Sequence, residues 1–121
     1  MAIEDQDFPI WSGDKLLLGI TILNDDGAKP SFSAPTAVWT MATVAEPTEA
    51  QVKIRKTTAG GTISLSESTD SWDAVVTILP DDTESLRPGT YFHALRVWDG
   101  SDSFTTTTGK VTLKGSIPAA P

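Results

Sequence analysis

An all-β, two-layer sandwich of about seven strands with flexible N- and C-terminal arms is the fold class this sequence predicts. Three observations carry that expectation. Runs of alternating apolar and polar residues recur roughly every 10 residues, separated by Gly, Pro, Asn and Asp. No stretch has a convincing helical period. The segment from Leu79 to Leu113 reads as a closing hairpin, with a Pro-Gly corner ahead of two long strands. A chain of 121 residues suits a single two-layer core. The composition shifts divide it into an arm over residues 1–12, a sandwich over 13–115 and a tail over 116–121.

The first strand, about Lys15 to Leu23, places Leu16, Leu18, Ile20 and Ile22 on one face. Asn24-Asp25-Asp26-Gly27 then supplies turn residues. A loop containing Pro30 and Pro35 leads to a strand over Thr36 to Ala42, where Ala37, Trp39 and Met41 share a side and Trp39 is the largest candidate for the sandwich centre. Its partner, about Ala50 to Thr57, turns Val52 and Ile54 inward and Gln51, Lys53 and Arg55 outward. Gly60-Gly61 makes a tight turn before a short strand with Ile63 and Leu65 inward. From Trp72, the residues Trp72, Ala74, Val76 and Ile78 share a face until Pro80, which cannot donate to a ladder.

Thr90 to Trp98 alternates Tyr91, His93, Leu95 and Val97 with Phe92, Ala94, Arg96 and Trp98. Both sets are largely apolar, so one face must do more than meet water. The last strand runs through Phe104 and Thr105 to Thr108 to Val111 and Leu113. Gly109 suggests a bulge, and the four threonines suit a solvated edge. In Leu86-x-Pro-Gly-x-Tyr91 the Pro-Gly pair turns the chain and the tyrosine plugs the sandwich end, as in the tyrosine corner of immunoglobulin-like domains. The sandwich expected here is therefore immunoglobulin-like.

Charge and composition narrow the function. Nine Lys and Arg stand against 16 Asp and Glu, a net charge of -7, so a phosphate backbone is repelled and nucleic acid is a poor partner. Without cysteine there is no disulfide, thiolate nucleophile or Cys-ligated metal. The acidic start Met1-Ala2-Ile3-Glu4-Asp5 does not read as a signal peptide, and no apolar run approaches the ~20 residues of a membrane span. A soluble protein that is not exported and has no membrane partner is expected.

Gly13-Asp14, Asp25-Asp26-Gly27, Val38-Trp39-Thr40-Met41, the Leu86 to Tyr91 corner, His93 to Val97 and Gly109-Lys110-Val111-Thr112-Leu113 occur in that order. The series resembles the small Ig-like modules encoded among tail and head genes of bacteriophages, including the N-terminal domain of phage baseplate upper proteins. The resemblance covers about residues 13 to 114. It implies a non-enzymatic virion structural protein, assembled in the bacterial host cytoplasm, in a capsid decoration, neck, tail or baseplate role. Its partners would be other virion proteins, and it would be a homo-oligomer or present in many copies.

The residues themselves offer little catalytic chemistry, and no enzyme and no cofactor are expected. His93 lies on an apolar face, where a buried, hydrogen-bonded imidazole is favoured over a catalytic one. Asp81-Asp82, and Asp99 with Asp102, fall in turns, where Asp accepts local backbone hydrogen bonds. Asp25, Asp26, Asp99 and Asp102 are the least poor calcium candidates, but no Asp-x-Asp-x-Asp-Gly pattern occurs and no metal is expected. The contact residues expected are Phe8, Ile10 and Trp11 before the first strand, and Phe92, Arg96 and Trp98 on the outer face of theirs. Two readings stand for the first three: an arm that binds a neighbour and can be removed without unfolding the sandwich, or a segment folded back over its open end and covering Trp98. An alternative to assembly is a carbohydrate-binding or adhesive module, with Trp98, Phe92 and Trp11 as one stacking platform.

Overall fold

Alternating side chains become two facing sheets in the computed structural model, which describes residues 7–23 and 27–115. The strands are β1 (Phe8–Trp11), β2 (Leu16–Ile22), β3 (Thr36–Ala42), β4 (Val52–Thr57), β5 (Ile63–Glu67), β6 (Trp72–Ile78), β7 (Gly89–Asp99) and β8 (Asp102–Lys114). A five-stranded sheet has the order β1-β8-β7-β3-β4 and packs on a three-stranded sheet of order β2-β6-β5. This is an immunoglobulin-like sandwich. The parities expected for β2, β3, β6 and β7 hold: Ile20, Ile22, Ala37, Trp39, Met41, Ala74, Val76, Ile78, Leu95 and Val97 all sit in the core. Each large side chain closed off from water contributes about 2 kcal/mol.

The structure adds an eighth strand. Residues 8–11, expected in a dispensable arm, pair in parallel with β8, Phe8 opposite Val111 and Trp11 opposite Lys114. Ile10 is 3% exposed, and Phe8 packs on the same core. The cause is burial: the four residues carry two inward apolar side chains, too short a run for its period to stand out. Ser12 N–H donates to Lys114 O at 2.9 Å. The two-residue repeat of a ladder then turns Pro9, which has no N–H, to the open edge.

Two further expectations change. A five-residue helix, α1 (Pro80–Glu84), forms where no helix was expected. Pro80 occupies its first turn, and Asp82 Oδ2 accepts Leu79 N–H at 2.7 Å. This is the local acceptor role expected of Asp82, used to start a helix. Lys56 Nζ also meets Asp82 Oδ2 at 2.6 Å, tying β4 to α1 across the sandwich. Gly13 N–H donates to Thr83 Oγ1 at 3.0 Å and pins α1 to the entry of β2.

The threonine run is not solvated. β1 reaches β8 only over Val111–Lys114, beyond the run, yet Thr106 and Thr107 are buried. Gly109 stays in register with His93; the bulge falls instead where Leu95 pairs with Thr107 but Arg96 pairs with Thr105. Thr106 is the extra residue, and its hydroxyl bonds Leu95 O at 3.4 Å.

The hairpin turns through Gly100 and Ser101, with Gly100 at φ +66°, a conformation that favours glycine in a two-residue loop. Tyr91 Oη donates to Arg87 O at 2.6 Å, so the corner closes as expected. Phe32, from the β2–β3 loop, fills the other end against Trp72 and Phe104, with ring centroids 5.6 and 6.2 Å apart. The expected turn at 24–26 and the terminal segments 1–6 and 116–121 lie outside the described residues.

Candidate interaction surface

The outer face of the five-stranded sheet is built in rows. Arg55, Thr40, Ala94 and Thr108 lie opposite one another across β4, β3, β7 and β8. One step along, Thr57, Val38, Arg96 and Thr105 make a second row. Trp98 follows on the same face, and Phe92 sits beyond Ala94 at the other end of β7. Small residues in the centre and large ones around them leave two adjoining hollows, of about 470 and 530 Å³, that share Ala94 and Thr105. The Thr106 bulge lies beside them, and a bulge increases local twist. The result is a shallow trough across four strands.

Its walls combine aromatic rings and Arg with two carboxylates, Asp7 and Glu46, which line the hollow of about 530 Å³ beside Phe92 and Lys110. Arg96 Cζ lies 5.8 Å from the Trp98 ring centre. Trp98 and Phe92 are half-buried and Arg96 is exposed. Arg55 Nη2 meets Glu49 Oε2 at 2.5 Å, a surface pair that contributes little to stability. The basic side chains Lys53, Arg55, Arg96, Lys110 and Lys114 all project here, five of the nine in the chain.

Phe92, Arg96 and Trp98 share the outer face of β7, Arg96 and Trp98 lining one hollow and Phe92 the other, and Phe8, Ile10 and Trp11 do not join them. Ile10 is a core residue, and Phe8 places its ring edge-on to His93 at 5.0 Å. Trp11 is 44% exposed beside Lys114, whose Nζ lies 5.2 Å from its ring centre. β1 aligns with the start of β7, so Trp11 and Trp98 stand at opposite ends of the sheet, about 30 Å apart at the rise of a strand. Neither Trp98 covered by the first strand nor a single three-ring platform survives this spacing. Phe92 and Trp98 are themselves six residues apart on one strand, about 20 Å.

Val38, Thr40, Arg55, Ala94 and Thr105 are trough residues that the sequence reading missed. Outward parity was visible for Arg55, but only cross-strand register shows that it shares a row with Ala94.

His93 is buried, and its Nδ1 accepts the Trp39 indole N–H at 3.1 Å. Only an unprotonated imidazole nitrogen can accept, so the bond describes a neutral ring held inside the core. Asp99 accepts the Ser33 and Ala34 N–H groups at 3.3 Å, again a loop-tying role. Among the described residues no three His, Asp or Glu side chains gather as a metal site needs. Asp25 and Asp26 lie outside them. No described helix is long and apolar enough to cross a membrane. No protein-family model matches this chain, and a search of curated proteins finds no relative.

Proposed function

We propose that the protein is a non-enzymatic structural component of a bacteriophage virion, which holds neighbouring virion proteins through the outer face of its five-stranded sheet. The observation that carries this reading is the trough: Phe92, Arg96 and Trp98 on β7, with Arg55 and Val38, line two adjoining hollows on one outer face of the five-stranded sheet. Arg and large aromatic residues are the side chains on which binding energy most often concentrates in protein contacts. The order of motifs shared with phage Ig-like modules supplies the virion context. A sandwich of this kind acts by shape and contact, and would serve on a capsid, a neck or a tail.

Gold-conjugated antibody against the protein, applied to particles from the source of the gene and viewed by electron microscopy, tests the reading. Label at one fixed place on the particle is the expected result. Particles that never take label would overturn it.

A further inference from the structure

The two outer faces of the sandwich differ in character. The trough face carries Lys53, Arg55, Arg96, Lys110 and Lys114. The three-stranded sheet turns outward a flat face of small residues, Gly19, Thr21, Ser64, Ser66 and Thr77. Set in it is an apolar patch: Leu17, opposite Thr77, is 60% exposed, and Val75 and Leu79, on either side of Thr77 along the chain, are 37% and 42% exposed. Asp73 projects from this face, Asp14 and Lys15 precede β2, Asp81 and Glu84 lie on α1 and Asp70 in the β5–β6 turn, while Lys29 is paired with Glu67. The trough face sets five basic side chains against Asp7, Glu46 and the Glu49 that pairs with Arg55, and so stays basic on balance; the other face is aliphatic, with acids outnumbering bases beside it.

We infer that these two faces bind each other between copies of the chain, the trough of one molecule seating on the three-stranded face of the next. The inference rests on the reading of the trough as a contact surface and names its occupant. Charge decides the geometry. A two-fold contact of trough against trough would set Arg55 and Arg96 against the same cations of the partner, and back against back would oppose acids. Front to back pairs cations with acids, and lays Leu17 and Val75 over the trough's Val38 and Trp98. Such a contact uses different surfaces on the two partners, so it repeats and builds rows or rings instead of closing as a dimer. At a net charge of -7 the copies repel at long range, so the attraction acts only near contact and weakens as salt screens it.

Sedimentation velocity of the full chain across rising protein concentration, at low and at molar salt, reads the outcome. Growing oligomers at low salt that dissociate at high salt are expected. Arg55→Glu with Arg96→Glu disables the front, and Leu17→Lys with Val75→Lys disables the back. Every changed side chain is exposed, and unchanged thermal unfolding verifies each fold. Each double variant alone should stay a monomer, and an equimolar mixture should form a one-to-one dimer and nothing larger. A parent that stays monomeric, a back variant that still assembles, or a mixture that fails to pair would each overturn the inference. If the parent is monomeric yet front variants lose their place on labelled particles, the virion reading stands and only the self-contact falls.

Discussion

Trp39 shows how one side chain organises both the centre of this protein and its one histidine. It is fully buried between the sheets, and its indole N–H bonds His93 Nδ1, joining β3 to β7 through side chains as well as backbone. Trp39→Ala should therefore cost about 3 to 5 kcal/mol, since the cavity adds to the lost transfer energy. Chemical denaturation of the variant measures this, and a midpoint equal to the parent's would contradict the packing. The burial of both residues was visible in the two-residue period of their strands, because parity alone assigns a face. Their hydrogen bond was not visible: it depends on β3 and β7 being neighbours and on a register that places Met41 opposite His93. Lys56 illustrates the converse case. Its inward parity was readable, but a buried amine makes sense only once α1 brings Asp82 to within 2.6 Å.

At the level of elements, long alternating runs were legible and short or locally capped ones were not. β7 alternates through 11 residues, and no other assignment explains it. β1 has four, one of them proline, and it becomes a strand only because β8 offers an edge to pair with. α1 has five residues, held by a proline start, the Asp82 bond and the two contacts that Thr83 makes with Ser12 and Gly13. The trough was half legible for the same reason: Phe92, Arg96 and Trp98 belong to one strand, whereas Arg55, Val38 and Thr105 join them only across the sheet. The threonine run misled because strand propensity does not distinguish a solvated position from a buried one. β1 gives a direct test. Removing residues 1–11 deletes the Ile10 side chain from the core and should lower stability, about as far as Ile10→Ala alone, by 2 to 5 kcal/mol or more. Thermal unfolding of the truncated chain checks it; an unshifted transition would restore the picture of a dispensable arm.

The whole molecule is an unequal sandwich, five strands against three, whose larger sheet supplies both the core-facing rows and the candidate contact surface. Its faces differ in charge balance, and its ends are closed by Phe32 on one side and the Tyr91 corner on the other. The pairing of first strand with last has a mechanical consequence. β1 and β8 run parallel, so tension applied through the two chain ends draws them along their length in opposite directions. All rungs between Phe8 and Lys114 are then loaded in shear together, and none can peel open ahead of the rest. In single-molecule pulling through the termini, Ser12→Pro, which deletes the rung to Lys114 O, should lower the unfolding force; an unchanged force would place the load elsewhere. A chain built this way resists being stretched along the line joining its two ends, the direction in which a module strung between larger bodies is pulled.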